Sequence, residues 1–131
     1  MNGQYQQPKK FLIVDDEIFI LEIVAAMLKS IFNGESEIYS AESGQKALEI
    51  AKTLRIDQVF MDIQMPHMNG LETLRELKKM DSSISIVMMT GGAPQGMIDA
   101  ALAHGAEDCL RKPFTREDIK NYLVKKSFIS N

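Results

Sequence analysis

Charged and hydroxyl side chains stand at the ends of several short apolar runs in this chain. Asp15 and Asp16 close the run FLIVDD, Asp62 closes QVFMD, Thr90 closes IVMMT, and Lys112 follows CLR. In a parallel α/β sheet the carboxyl ends of the strands share one edge, so these side chains would converge in one pocket. Crowded carboxylates repel one another unless a cation neutralises them, and hard oxygen ligands suit Mg²⁺. The sequence therefore predicts a site for a divalent ion together with an anion.

The residue types in this pocket are suited to phosphoryl transfer. An aspartate at a strand end beside Mg²⁺ can attack phosphorus and form an aspartyl phosphate, so Asp62 is the candidate nucleophile. The reaction requires in-line positioning and positive charge near the phosphoryl oxygens, which Mg²⁺ and Lys112 would supply together. Asp15 and Asp16 would hold the metal, and Thr90 would donate its hydroxyl to a phosphoryl oxygen.

Five apolar runs alternate with stretches of helical periodicity, and this alternation defines the predicted elements. The predicted strands are KFLIVD, EIYSA, QVFMD, SIVMM and DCLR, and the predicted helices cover about residues 17–32, 43–54, 70–80, 94–103 and 115–126. The (βα)5 order favours an α/β fold with a parallel sheet and helices on both faces, because each crossover must be short and right-handed.

Turn and cap residues support the helix starts. Ser43 is expected to cap the second helix, and Thr115 with Asp118 to form an N-cap pair before the fifth. Asn69-Gly70 is expected to adopt the positive φ of a turn before the third helix, and Pro94 to lie in the first turn of the fourth.

The first helix is unusually apolar, and its periodicity predicts which side chains are buried. At about 100° per residue, one buried stripe leaves Ile18 nearly opposite and Phe19 and Leu21 on its flanks. The stripe consists of Ile20, Val24, Met27, Leu28 and Ile31. Ile18 and Phe19 would then either pack on the flank of the helix or form an exposed apolar patch that docks a partner.

Length and charge set the limits on organisation. The 131 residues suffice for one compact domain, which we place at 9–126, after a polar, disordered segment at 1–8 and before a short tail at 127–131. A net charge of -3 provides no broad basic field, so direct nucleic acid binding is not expected. No apolar run is long enough to span a membrane. The single cysteine, Cys109, and the absence of an apolar leader favour a reducing cytoplasm.

Four segments, spaced in order along the chain, resemble the receiver domain of two-component response regulators. They are IVDDE, VFMDIQMPHMNGLE, VMMTGG and RKPF, and the similarity extends over about Lys9 to Lys126. The resemblance implies a flavodoxin-like fold with strand order 2-1-3-4-5. It also implies that Asp62 accepts a phosphoryl group from the phosphohistidine of a sensor histidine kinase or a histidine phosphotransfer protein, in a reaction that depends on Mg²⁺ or Mn²⁺.

The same resemblance assigns further roles by position. The metal ligands would be Asp15, Asp16, Asp62 and the backbone carbonyl of Gln64, and the Lys112-Pro113 bond would be cis. Slow hydrolysis of the aspartyl phosphate would be tuned at Gln64 and at Gly92. Such a domain catalyses only its own phosphorylation and dephosphorylation, and it signals through protein contacts rather than as an enzyme acting on a separate substrate.

One departure from the family pattern concerns how the signal leaves the domain. Many receivers have a tyrosine or phenylalanine three residues before the lysine, and here that position holds Cys109. A thiol cannot exchange between exposed and buried positions with the same change of area. The aromatic switch is therefore not expected, while the phosphorylation chemistry is untouched.

Other functions would require different residues at these positions. An aspartate-nucleophile phosphatase would need a second acid where Gln64 stands, and a flavin carrier would need a glycine- and hydroxyl-rich loop instead of Asp15-Asp16-Glu17. The intact acidic pair, acceptor, threonine and lysine argue against a non-phosphorylated scaffold. A phosphoryl-relay intermediate and the receiver part of a larger regulator remain open alternatives. Both histidines, His67 and His104, lack partner ligands and are expected to lie in loops or on the surface.

Overall fold

A computed structural model describes residues 8–130 of the chain, and in this range five strands alternate with five helices. The elements are β1 Lys10–Val14, α1 Ile18–Ile31, β2 Glu37–Ala41, α2 Gly44–Thr53, β3 Gln58–Asp62, α3 Gly70–Met80, β4 Ser85–Thr90, α4 Gln95–Ala103, β5 Asp108–Arg111 and α5 Arg116–Lys125. Their bounds differ from the predicted bounds by at most one residue. The predicted disordered segment lies, apart from Pro8, outside the described residues.

The strands form one parallel sheet of order β2-β1-β3-β4-β5, which confirms the predicted flavodoxin-like topology. The central strand β3 is buried along its whole length, so its sequence is a continuous apolar run rather than an alternating one. Because every strand runs in the same direction, the ends of β1, β3 and β4 open at one edge of the sheet. This edge carries the predicted site.

Two apolar clusters cover the two faces of the sheet. Successive residues of β1 point to opposite faces, so Leu12 belongs to one cluster and Phe11 to the other. Helices α2, α3 and α4 cover the first face, where Leu74 and Ile98 are buried. Helices α1 and α5 cover the second face, where Ile119 is fully buried. Both faces of the sheet are thus closed to water, and its carboxyl edge is left open for polar chemistry.

The buried face of α1 differs from the predicted stripe. Leu21, predicted on the flank, is buried together with Val24 and Leu28, whereas Ile20, Met27 and Ile31 are only half-buried. At about 100° per residue the buried face is rotated by roughly 50° from the one predicted. The reason is tertiary, since α1 packs against both the sheet and α5 and the position of α5 decides which side faces inward. Ile18 and Phe19 are exposed.

The turn before α3 also differs from its prediction. Asn69 has a φ of -75°, not a positive φ, and its side chain accepts a hydrogen bond from the backbone N–H of Glu72. The Glu72 carboxylate accepts in return from the N–H of Asn69, which completes a capping box. The predicted caps at Ser43 and Thr115 are confirmed. Pro94 lies at the N-cap of α4, one residue before the predicted position.

The C-terminal segment packs against the domain, and the described helices are too short or too polar to cross a membrane. Phe128 and Ile129, in the segment predicted as a tail, pack partly buried against the cluster that covers the α1 and α5 face. Between residues 8 and 130, no helix combines the length and the hydrophobicity needed to cross a membrane.

Candidate functional site

The residues predicted to do chemistry lie side by side at the carboxyl edge of the sheet. Asp15 directly follows β1, and its N–H donates to the carbonyl of Ala41 on β2. Asp62 and Thr90 are the last residues of β3 and β4. Lys112 directly follows β5, and its N–H donates to the carbonyl of Thr90 at 2.6 Å. The strand ends therefore fix all four positions through the backbone.

Three carboxylates form an acidic cluster, which we define as Asp15, Asp16 and Asp62. Each contributes an oxygen that lies within 4.8 Å of the oxygens from the other two. Asp15 is completely buried and Asp62 is 6% exposed, whereas Asp16 is open to solvent. Carboxylate oxygens at this spacing with one side open to water are a donor set that suits Mg²⁺ or Mn²⁺, which accept hard oxygen ligands and retain water. The residues present therefore fit a divalent cation.

The crowding of these carboxylates changes the pKa of Asp62. The pKa of Asp62 is raised from 3.8 to about 6, chiefly by burial and then by the negative charge of Asp15, while Lys112 partly opposes both effects. The carboxylate is therefore ionised near neutral pH, but its charge is poorly solvated. A cation at the cluster would relieve this cost.

Lys112 supplies the positive charge of the site. Its Nζ donates a hydrogen bond to Oδ2 of Asp15 at 2.8 Å and lies 3.8 Å from Oδ2 of Asp62. Burial lowers the pKa of Lys112, but the hydrogen bond to Asp15 and the charges of Asp62, Asp15 and Glu17 outweigh it, so the pKa is raised. The group is therefore a permanent cation beside the acceptor. The Lys112-Pro113 bond is cis, as the resemblance implied.

Thr90 is buried, and its hydroxyl organises the loop that follows β4. Its Oγ1 accepts hydrogen bonds from the N–H groups of Gly92 at 3.1 Å and Ala93 at 2.7 Å. Both lone-pair positions are thereby used, and the hydroxyl proton is left as a donor. Thr90 can thus donate to an anion while it remains bonded to the loop.

The loop after Asp62 brings the peptide of Gln64 to the cluster. The N–H of Gln64 points to Oδ1 of Asp62 at 3.4 Å, and this hydrogen bond lowers the pKa of Asp62 against the larger effect of burial. The loop then returns to the strand end, where the N–H of Gly70 donates to the carbonyl of Ile63 at 3.0 Å. A Cβ at Gly70 would overlap the carbonyl oxygen of Asp62 and lie 2.7 Å from Cα of Ile63. Glycine is required here for close approach, not for its φ.

The other residues singled out in the sequence lie around this site. Ile18 and Phe19 are 56% and 68% exposed at the start of α1, close in sequence to the acidic pair. Cys109 is half-buried, and burial raises the pKa of its thiol, so the residue is packed rather than reactive. His67 and His104 are exposed and do not belong to the acidic cluster, which is the potential metal-binding group found in residues 8–130.

Sequence reasoning overlooked Glu17 as a residue of this site. Its Oε1 lies 3.9 Å from Nζ of Lys112, and its N–H donates to Oδ1 of Asp15 at 2.9 Å. The available signal was a third carboxylate directly after the acidic pair. An isolated glutamate at the start of a helix is normally solvated, so the sequence alone did not identify Glu17 as a site residue.

Comparisons with known proteins agree with this geometry. The family model of the response regulator receiver domain matches residues 11–124. Chemotaxis protein CheY of Bacillus subtilis is 36% identical over 116 residues, covering 88% of this chain and 95% of that protein. Sporulation initiation phosphotransferase F of Bacillus subtilis is 35% identical over 124 residues, covering 91% of this chain and 97% of that protein.

A solved structure extends the comparison to three dimensions. The protein in the CheX-CheY-BeF3-Mg2+ complex from Borrelia burgdorferi is similar at a TM-score of 0.83 with 26% identity, covering 94% of this chain and 91% of that chain. The likeness in fold is therefore as extensive as the likeness in sequence. With its acidic cluster, threonine and lysine assembled at one sheet edge, the chain belongs to the response regulator receiver domain family, a family of signalling domains of two-component systems.

Proposed function

We propose that this receiver domain accepts a phosphoryl group on Asp62 from the phosphohistidine of a sensor histidine kinase or a histidine phosphotransfer protein, with Mg²⁺ or Mn²⁺ bound. The observation that carries the proposal is the convergence of three aspartate carboxylates within 4.8 Å, with the Lys112 ammonium beside two of them. The phosphorylated domain would act as a switch through protein contacts. It would catalyse only its own phosphorylation and dephosphorylation.

The transfer step assigns a role to each side chain. An oxygen of Asp62 forms a bond to phosphorus while the P–N bond of phosphohistidine breaks, and the electron pair of that bond stays on the imidazole, which leaves neutral because its other nitrogen carries a proton. Lys112, 3.8 Å from Asp62, balances charge on the transferred oxygens. The free hydroxyl proton of Thr90 is donated to one of these oxygens, which couples the new anion to the loop after β4.

The metal would be held by Asp15, Asp16, Asp62 and the backbone carbonyl of Gln64. When bound, it supplies positive charge that offsets the repulsion between the carboxylates and the incoming phosphoryl group. Asp62 is the acceptor in this assignment because it stands at the end of the central strand, and Asp15 and Asp16 remain carboxylates throughout.

A donor protein would dock at the start of α1. Ile18 and Phe19 expose large apolar surfaces two to three residues from the acidic cluster, where a helical donor domain that presents its histidine to Asp62 would contact them. The similar protein from Borrelia burgdorferi forms a complex with CheX, BeF3 and Mg2+, which supports a metal-dependent site of this kind. Its identity with this chain is 26%, so the analogy extends to the site and not to the partner.

A second candidate function is a relay intermediate that passes its phosphoryl group on to another histidine. It is favoured by Cys109, which stands half-buried where an aromatic switch residue would otherwise couple phosphorylation to an output face. The similarity to a protein named sporulation initiation phosphotransferase F points the same way. Transfer from the phosphorylated protein to a histidine phosphotransfer domain, followed with radiolabelled phosphate, separates a carrier from a terminal switch.

The decisive experiment is phosphorylation by a small donor. The protein is mixed with acetyl phosphate and Mg²⁺, and the intact mass is recorded with and without EDTA. We expect the mass of one phosphate to be added to wild type, to be absent with EDTA, and to be absent in Asp62→Asn. Asp99→Asn, which removes an exposed aspartate of α4, serves as the matched control and should be phosphorylated normally. Equal modification of wild type and Asp62→Asn would contradict the proposal.

A further inference from the structure

Glu17 is a carboxylate at the mouth of the site whose position helix formation does not explain. It is the N-cap residue of α1, yet its side chain makes no capping hydrogen bond, and glutamate is not among the residues that cap helices well. Its side chain is 64% exposed, and the oxygen Oε1 faces Nζ of Lys112 at 3.9 Å. The contact that Glu17 does make is therefore with the cation of the site.

Asp15 has both carboxylate oxygens engaged. Oδ1 accepts from the N–H of Glu17 at 2.9 Å, and Oδ2 accepts from Nζ of Lys112 at 2.8 Å. The same residue belongs to the acidic cluster that fits a divalent cation. An ammonium and a divalent cation repel each other, so a metal that binds Asp15 has to share it with Lys112 or displace it.

If a metal displaced the Lys112 ammonium from Asp15, not every nearby carboxylate could pair with that ammonium instead. Within residues 8–130, the acidic groups within 4.0 Å of its Nζ are Asp15, Asp62 and Glu17. Asp15 and Asp62 belong to the acidic cluster, where a bound cation would neutralise them, and Glu17 does not. A small rotation of the flexible lysine stem turns the 3.9 Å contact with Glu17 into a hydrogen bond.

We propose that Glu17 is a positioning residue for Lys112: it is the carboxylate to which the ammonium moves when a divalent cation takes Asp15, and it thereby strengthens binding of that cation. The inference rests on the proposed function, because it concerns the same cation site. Glu17 touches neither the acceptor nor the metal. It acts through Lys112, which otherwise competes with the metal for Oδ2 of Asp15.

A double-mutant cycle on metal affinity tests this role without measuring phosphorylation. Mg²⁺ is titrated by calorimetry into the full chain as wild type, Glu17→Gln, Lys112→Met and the double variant. We expect Glu17→Gln to weaken Mg²⁺ binding by about threefold to tenfold in the wild-type background, the size typical of coupled neighbours. In the Lys112→Met background the same substitution should change affinity by less than about twofold, the effect of one exposed, screened charge.

Two controls sharpen the result. Glu22→Gln removes another exposed glutamate of α1 and should leave the affinity of wild type unchanged. Circular dichroism of each variant verifies that the fold is kept. In addition, the side-chain nitrogen of Lys112, observed by NMR, should shift on Mg²⁺ addition in wild type and shift less in Glu17→Gln.

The possible outcomes are distinguishable. If Glu17→Gln weakened Mg²⁺ binding equally in both backgrounds, the effect would be one of general charge and the inference would be overturned. An unchanged Mg²⁺ affinity in the wild-type background would also overturn it. If wild type binds no Mg²⁺ at all, the proposed function itself is contradicted and this inference fails with it. If wild type binds Mg²⁺ and the cycle shows no coupling, the proposed function stands and only the role of Glu17 is withdrawn.

Discussion

The ammonium of Lys112 donates to Oδ2 of Asp15 at 2.8 Å, although the two residues are 97 positions apart in the chain. One comes from the end of β1 and the other from the end of β5, so the contact exists only when the whole sheet is assembled. Asp15 is completely buried, the side chain of Lys112 is 15% exposed, and a buried charge that loses its partner is costly. This pair therefore joins the stability of the fold to the integrity of the site.

Substitution of Lys112 tests its role in the chemistry. Lys112→Ala removes the charge that balances the transferred oxygens, and we expect phosphorylation by acetyl phosphate at saturating Mg²⁺ to slow by about 100-fold, the size of losing one preorganised electrostatic contact. The rate is followed by intact mass. Lys125→Ala, which removes an exposed lysine paired with Asp108 at 3.7 Å, should react at the wild-type rate. A rate for Lys112→Ala equal to that of wild type would rule out this role.

The raised pKa of Asp62 predicts a pH dependence of stability. Burial and the charge of Asp15 raise that pKa from 3.8 to about 6. As pH rises through this window the unfolded chain loses its proton before the folded protein does, so metal-free wild type is destabilised as pH increases. In EDTA at pH 7, Asp62→Asn should unfold with a free energy about 2 kcal/mol larger than that of wild type, after allowance for solvent screening of the shift.

Urea denaturation across pH provides the measurement and its control. The difference between Asp62→Asn and wild type should shrink as pH falls from 6 to 3.8 and vanish well below 3.8, where the carboxyl is protonated in both states. Saturating Mg²⁺ should stabilise wild type more than the variant, because the variant lacks one carboxylate of the acidic cluster. A difference that is constant across this pH range would contradict the electrostatic explanation.

The contact between Gly70 and the acceptor strand predicts a steric effect on stability. In Gly70→Ala the new Cβ would overlap the carbonyl oxygen of Asp62 and contact Cα of Ile63. Both are backbone atoms, so they cannot shift without distorting the chain. We expect a loss of about 2 to 3 kcal/mol in the free energy of unfolding. Gly96→Ala is the matched control, since no atom lies within 4 Å of its Cβ and the helical site should gain about 0.5 kcal/mol. Equal stability of the two variants would show that the close approach is not required.

The exposed side chain of Phe19 predicts that its substitution slows phosphorylation by a protein donor but not by a small-molecule donor. Phe19→Ser removes apolar surface that is 68% exposed, and we expect transfer from a histidine phosphotransfer domain to slow by about tenfold, as for an anchor at an interface. Phosphorylation by acetyl phosphate should keep its wild-type rate, because small donors need no docking surface. Leu102→Ser, on the exposed part of α4, should leave both rates unchanged. Equal slowing with both donors would place the effect in the site instead.

Features fixed by local signals were predictable from the sequence. The strands are short apolar runs bounded by polar residues, and parallel pairing alone brings Asp15, Asp62 and Thr90 to one edge, where the structure has them. The helix caps at Ser43 and Thr115 depend on residues three positions apart, so they too could be predicted from the local sequence.

Features fixed by packing were not predictable in the same way. The rotation of α1 that buries Leu21 depends on where α5 lies, and the requirement for glycine at position 70 depends on the backbone of β3, a separate element. The contact of Glu17 with Lys112 depends on two strand ends and on the rotamer of a long side chain. No periodicity or spacing in one segment contains this information.

The packing of Phe128 on Phe11, with ring centres 6.1 Å apart, and the position of Lys9 over the Phe128 ring have a practical consequence for labelling. These residues gather at the edge where β1 begins, whereas Asp62 stands where β3 ends. A fluorophore attached beside Lys9 or Ile129 would thus sit at the far end of the strands from the acceptor. Dye-labelled protein could then be used to follow partner binding in real time without obstructing the reacting groups.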